Sequence, residues 1–441
     1  MDNLLSCHYY NTSPLRTSHE GSASEALLTE FRRIAALRSG AYVSHNEVIR
    51  LPLDPNILGD VKKVAERFYT SQLKFIIIIG IGGSNLGTRA IYDALRGPFD
   101  LLSDKAPKLL FLDTTSARMI HDLEEVLGGD VHHKEELVIN LISKSGTTTE
   151  SIANFELLMR YLMQRIDGIE ERVVCTTDAF SALWKIAEQK KYGLLEIPKV
   201  VGGRFSVFSS VGLFPLLLAG VDVVALRDGA KDMLAQCISD DPNTHHARRS
   251  AEILHAEMQR GIAILNIFHF APELESLGKW ERQLIAESLG KEKDLSGKVV
   301  HVGITPIVSI GSTDLHSMAQ LYFGGPKDKF TMLVHAGSTS SRRVPEQGLL
   351  QGLVSGIAGK SPSTIMSAIF DGVMSGYQKN ALPFAEVRLP TISPYVLGAY
   401  LEWRMLAVIH LAALMHVDPF DQPNVEDYKE GTRRILGSLK D

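Results

Sequence analysis

KFIIIIGIGGS, Lys74 to Ser84, decides the fold class. Its first six residues, Lys74–Ile79, carry an unbroken apolar run rich in β-branched side chains. A strand that is apolar throughout, rather than at every second residue, has both faces covered, as in a parallel sheet. A glycine-rich turn follows, and then a helical stretch from Asn85 to Leu95. The same unit recurs downstream at LLFLD (Leu109–Asp113), LVINLI (Leu137–Ile142), RVVCTT (Arg172–Thr177) and GLLEI (Gly193–Ile197), with helical patterns between most of them. Strand–helix alternation predicts an α/β domain with a doubly wound parallel sheet, residues 70–250. The pattern restarts at GIAILNIFHF (Gly261–Phe270), HVGI (His301–Ile304), KFTMLV (Lys329–Val334) and FAEVRLP (Phe384–Pro390). These strands predict a second such domain over 251–420, and the two domains are expected to be three-layer α/β/α sandwiches. Its longest helix is expected from Ser393-Pro394, a hydroxyl cap followed by proline at the first helical position, to about Met415. Residues 1–69 read as a helical cover, with periodicity at Ala26–Leu37 and Val61–Phe68, and 421–441 as a C-terminal helix.

The 441 residues carry 46 Lys+Arg against 51 Asp+Glu, a net charge of −5. That balance gives no basic stripe and argues against a dedicated nucleic-acid binder. The apolar stretch Val211–Leu226 is interrupted by Pro215 and Asp222. A membrane span needs roughly 20 mostly apolar residues, so a buried core segment is expected instead. No secretory signal is expected in MDNLLSCHYYNTS, which lacks a basic lead and a long apolar block. Cys7, Cys175 and Cys237 cannot form a disulfide framework and lack metal-ligand spacing, which predicts a cytoplasmic protein.

Ligands of open α/β sheets bind at the carboxyl ends of the strands. Two loops there suit an anion. In Gly80–Ser84 the glycines let backbone N–H groups approach a ligand, and the following helix adds positive potential. Its spacing is neither G-x-G-x-x-G nor a Walker loop, which excludes a standard dinucleotide or ATP site. In Ser143-Lys144-Ser145-Gly146-Thr147-Thr148-Thr149, five hydroxyls and a lysine sit at one strand-to-helix turn. Lys144 adds either charge or only its backbone. Each loop alone could be mere helix capping; both on one sheet favour a phosphate site. GSTSS (Gly337–Ser341) leads into no obvious helix and reads as an ordinary loop. The pairs His132-His133 and His245-His246 lack metal-ligand spacing, so no metal is expected.

Further motifs follow in order: Val201-Gly202-Gly203-Arg204-Phe205-Ser206, then QLIAESLGK (Gln283–Lys291), then Thr313-Asp314-Leu315-His316-Ser317, and finally FDQPNVEDYK (Phe420–Lys429). With the two hydroxyl loops upstream, they resemble the glucose-6-phosphate isomerase (phosphoglucose isomerase) family over residues 70–435, in its short bacterial form. The resemblance implies tandem sugar-isomerase (SIS) domains and a homodimer with shared active sites. It also implies interconversion of glucose 6-phosphate and fructose 6-phosphate, in glycolysis and gluconeogenesis, through a cis-enediolate and without a cofactor. By the same resemblance Glu287 moves the proton between C1 and C2, Arg204 stabilises the enediolate, and His316 and Lys429 open the sugar ring. Gly83, Ser84, Ser143, Ser145 and Thr148 become phosphate or sugar contacts, Gln283 and Gln422 substrate contacts, and Glu150 an organiser of the sugar site. Without the motif, Glu287 would read as a solvated glutamate at a helix end.

The sequence departs from the family where Asn424 replaces the usual glycine, and tolerance of left-handed backbone by asparagine is expected to preserve the turn. Two other readings compete: a dual phosphoglucose/phosphomannose isomerase, and a non-catalytic SIS-domain sensor of sugar phosphates. The sensor would need the hydroxyl loops but not Glu287, Arg204, His316 and Lys429 together.

Overall fold

The computed structural model describes residues 4–13, 22–37, 42–239, 241, 244–338, 340–350 and 352–439. Parts of the 1–69 segment and Thr339, inside the GSTSS loop, lie outside them. The chain opens with β1 (Ser6–Tyr10), α1 (Ser22–Ala36) and α2 (Pro55–Phe68). The first α/β run is β2 (Phe75–Ile79), α3 (Leu86–Arg96), β3 (Lys108–Leu112), α4 (Ala117–Asp130), β4 (Leu137–Ile142), α5 (Thr149–Met163), β5 (Val173–Thr177), α6 (Ala182–Lys190) and β6 (Gly193–Glu196). Helices α7 (Ser210–Leu218), α8 (Val223–Cys237) and α9 (His246–Gln259) lead into β7 (Ile264–His269) and α10 (Glu275–Leu289). Then come β8 (Lys291–Lys293), β9 (Val299–Val302), β10 (Thr305–Ile310), α11 (Ala319–Gly324), β11 (Lys329–Ala336), α12 (Pro362–Lys379), β12 (Phe384–Leu389), α13 (Pro394–Met415) and α14 (Glu426–Ser438).

The first sheet has the order β3-β2-β4-β5-β6 and is parallel throughout. Every residue of β2 and of β4 is buried, as an unbroken apolar run requires when helices cover both faces. The second sheet has the order β1-β12-β11-β7-β10. Its last four strands are parallel, but β1 adds antiparallel to β12, with Ser6 opposite Arg388. The N-terminal segment is therefore not only a helical cover: it supplies an edge strand to the distant second sheet. A second correction concerns His301–Ile304. Only His301 and Val302 are in a strand, β9 of the small antiparallel pair β8–β9, and the sheet strand is the next segment, β10.

Helix α13 begins where its cap predicts, with the Ser393 hydroxyl accepting from Val396 N at 3.3 Å. Among the described residues it is the one helix long and apolar enough to cross a bilayer, and it lies almost wholly inside the protein. It packs against α8 so closely that a Cβ on Gly398 would stand 1.8 Å from the Leu226 carbonyl oxygen. Its polar residues sit in the core. Glu281 of α10, fully buried, accepts from Tyr400 Oη and Arg404 Nε at 2.6 Å each. The Glu402 carboxyl is fully buried without a partner among the described residues, and burial pushes its pKa well up.

His269 on β7 and His410 on α13 are buried, and desolvation takes the pKa of each down to about 3. Both stay neutral in the fold while the unfolded chain protonates them below about pH 6.5. Stability is thus fully present above pH 6.5 and falls as the pH drops towards 3, by roughly 1.4 kcal/mol per group per pH unit. Urea unfolding at pH 7, 6 and 5 is expected to show this decline. The double variant His269→Gln/His410→Gln should flatten it; an equally steep decline in that variant would assign the acid sensitivity to other groups.

Candidate active site

Strands β2 and β4 are neighbours in register, so the loops at their carboxyl ends lie side by side. The ideal Cβ of Gly80 would be 3.0 Å from the Ile142 carbonyl oxygen on the adjoining strand. In the second loop, Ser143 Oγ lies 2.9 Å from Thr148 Oγ1, and Ser145 Oγ lies 3.1 Å from Thr147 Oγ1. The Lys144 carbonyl accepts from Asp178 N and Thr177 Oγ1, which fixes the loop backbone against β5. The Lys144 ammonium is half-buried. Burial lowers its pKa, Asp178 opposes that, and the charges of Arg204 and Lys199 reinforce it. Arg204 therefore acts electrostatically on the hydroxyl loop, although it belongs to another segment. Glu150 lies in the first turn of α5, half-buried. Ser84, also half-buried, ends the short 3-10 turn Gly82–Ser84 ahead of α3.

The glycine loop meets the GGRFS segment directly. A Cβ on Gly83 would stand 2.1 Å from the Gly203 carbonyl carbon and 2.6 Å from Arg204 N, so only glycine fits. Ser206 Oγ donates to the Gly83 and Gly203 carbonyls at 3.2 and 2.7 Å. The other side is closed by α10, which packs on α3 and brings its last turn to the same place. There Gln283 Nε2 donates to Glu287 Oε1 at 3.0 Å.

Arg204 joins these parts. Its side chain is 1% exposed. Nε donates to Ser288 Oγ at 2.8 Å, and Nη1 to Glu287 Oε2 at 3.2 Å and Gln422 Oε1 at 2.7 Å. Nη2 donates to the carbonyls of Pro419 at 2.5 Å and Asp421 at 3.2 Å. A guanidinium has five N–H groups, and each has an acceptor here. Burial lowers the Arg204 pKa, and Glu287, Asp421 and Asp418 work against that shift. Glu287 is about one third exposed, and each of its oxygens accepts one donor, so lone pairs remain free on the open side.

Arg204, Glu287, Gln283 and Gln422 are thus joined, beside Gly83 and the hydroxyl loop. Among the described residues, His316 and Lys429 have no hydrogen bond or ion pair to this cluster. His316 is exposed beyond β10, and Lys429 Nζ pairs with Glu426 Oε1 at 2.6 Å on α14, a helix with no buried residue. Asn424 lies in the 3-10 turn Pro423–Val425 without a positive φ, so the turn needs no left-handed residue; its amide donates to Glu292 Oε2 at 2.8 Å. Sequence reading missed Ser288, Lys291, Pro419 and Asp421 as parts of the cluster. Two of them stand inside QLIAESLGK, but nothing in that string says which segment they touch. No group of three or more His, Cys, Asp or Glu residues could hold a metal ion among the described residues.

The family profile described as phosphoglucose isomerase matches residues 65–441, and the chain belongs to that family. It is 33% identical to a protein named glucose-6-phosphate isomerase from Exiguobacterium sibiricum, over 86% of this chain and 83% of that one. A crystal structure of a hypothetical protein from Thermus thermophilus superposes with a TM-score of 0.84 at 28% identity, covering 98% of this chain and all of the other. The fold is shared with a glucose-6-phosphate isomerase from Chlamydia trachomatis, at a TM-score of 0.76 and 21% identity, over 94% and 84% of the two chains.

The close approach at Gly83 has a built-in control. Gly202 has negative φ, and its Cβ would find Phe205 Cδ2 at 3.9 Å, an ordinary contact. Thermal melts should show Gly202→Ala near wild type and Gly83→Ala lowered by several degrees, on the order of 2 kcal/mol. Equal melting of the two would mean that the loops separate without cost.

Proposed function

We propose that the chain is an aldose–ketose isomerase that interconverts glucose 6-phosphate and fructose 6-phosphate, in glycolysis and gluconeogenesis. The observation that carries this reading is one carboxylate, Glu287, ion-paired to a buried arginine beside a hydroxyl-lined loop. Ser143, Ser145 and Thr148, with the backbone at Gly83 and Ser84, grip the phosphate, and Lys144 adds positive charge. Gln283 and Gln422 contact the sugar, and Glu150 shapes its surroundings. Glu287 takes the proton from C2 of the open-chain aldose and returns it to C1 through its free lone pairs. Proton transfer by a positioned carboxylate contributes about 10²–10⁴-fold. Arg204 supports the enediolate as a fixed charge, because its N–H groups are already engaged. The chemistry needs no cofactor.

The reading extends to a cytoplasmic homodimer. His316, exposed and without a link to its own Glu287, opens the sugar ring at the other subunit's site; Lys429 assists from α14. The loop after β11 supports pairing, since Leu349, Leu350 and Leu353 are all more than 70% exposed. Apolar residues concentrated in this way mark interaction surfaces.

A coupled assay supplying fructose 6-phosphate and following glucose 6-phosphate tests the chemistry. Wild type should turn over, and Glu287→Gln should lose about 10²–10⁴-fold in kcat with its melting temperature kept. An inert wild type would favour a sensor, and an active Glu287→Gln would reject the base; turnover of mannose 6-phosphate would widen the substrate range. Arg204→Ala discriminates poorly, because deleting a buried side chain with five acceptors costs stability as well as turnover. Sedimentation tests the pairing: Leu349→Asp/Leu353→Asp should give inactive monomers, and a fully active monomer would place His316 outside the chemistry.

A further inference from the structure

Lys291 closes the QLIAESLGK motif, four residues beyond Glu287, and has no role in the chemistry above. Its side chain is 5% exposed, which is rare for lysine. Nζ lies 2.6 Å from Asp421 Oδ1 and 2.5 Å from the Asp421 carbonyl oxygen. That carbonyl also accepts from Arg204 Nη2. Two buried cations from different segments therefore converge on one peptide group.

The segment 418–422 runs across the site as a strap. Its Pro419 and Asp421 carbonyls and the Gln422 side chain take three of the five Arg204 bonds. At its middle Phe420 packs on Phe205, with ring centres 5.3 Å apart, and stacks on His45 at 5.9 Å. Beyond it, neither the Pro423–Val425 turn nor α14 has a buried residue, so among the described residues no downstream packing fixes Asp421. The Asp421 side chain is about half exposed and is held by Lys291 alone among the described residues.

We propose that Lys291 is a positioning residue for the isomerase reaction: it clamps the 418–422 strap through Asp421, and the strap's acceptors hold the Arg204 guanidinium in register with Glu287. The inference rests on the isomerase reading. Without the clamp the strap samples other positions, Arg204 loses acceptors on one edge, and the charge beside the developing enediolate shifts. A small misplacement of this kind costs about 10–100-fold in rate. Phosphate binding, on the hydroxyl loop of the first domain, is left largely intact.

Two variants test this. Lys291→Met keeps the buried stem without the charge; Asp421→Asn alters only a half-exposed carboxylate. Both should fold. Each is expected to lower kcat by about 10–100-fold, change KM by less than about three-fold, and speed hydrogen exchange of the 418–425 amides. Lys291→Arg should recover part of the rate, and the double variant should be no worse than the poorer single one. Wild-type kcat in Lys291→Met, multiplied losses in the double variant, or unchanged exchange at 418–425 would overturn the inference. Failure of the isomerase reading is distinct, since the wild type itself would then be inert whatever the exchange pattern.

Discussion

A guanidinium sealed inside the protein needs acceptors on every edge, and that need organises the molecule around Arg204. Burying an ion costs several kcal/mol unless its hydrogen bonds and charge are met in place. Here the acceptors come from the end of α10 and from the segment after α13. Both must arrive together. Gly83 serves the same arrangement, because only glycine there lets the 80–84 loop pack against the 203–204 backbone.

The division of labour follows. The first sheet offers strand-end loops whose hydroxyls are already turned towards each other, while α10, after β7 of the second sheet, contributes the Glu287 carboxylate near its end. Helix α10 packs on α3, immediately after the glycine loop, so the distance between that loop and the Glu287 carboxylate is set by rigid elements. Reacting groups mounted in this way keep their geometry.

The core strands of the first sheet were legible in the sequence because parallel strands covered on both faces must be apolar without interruption; β4 matches LVINLI residue for residue. The failures have equally physical causes. Strand β10 contains Pro306, which argues against a strand by local rules but is tolerated at a sheet edge, where β10 lies. Strand β1 reads SCHYY, with no apolar run, and its pairing is decided by a partner far along the chain. In the site, the motif strings led to Glu287, Arg204, Gln283 and Gln422, which lie together. Lys291 and Asp421 were invisible, since the worth of an ordinary lysine or aspartate depends on which segment folds back onto it.

That antiparallel edge strand has a consequence for biosynthesis. Ser6–Tyr10 and its mate Phe384–Leu389 are separated by most of the sequence, so the mate is synthesised long after the strand it pairs with. At ordinary elongation speeds the gap lasts on the order of tens of seconds. Throughout that interval the first sheet can mature from consecutive units, while the opening pentapeptide stays single. The second sheet thus stays incomplete until β12 follows, and a nascent polypeptide halted between the two would present β1 unpaired to chaperones.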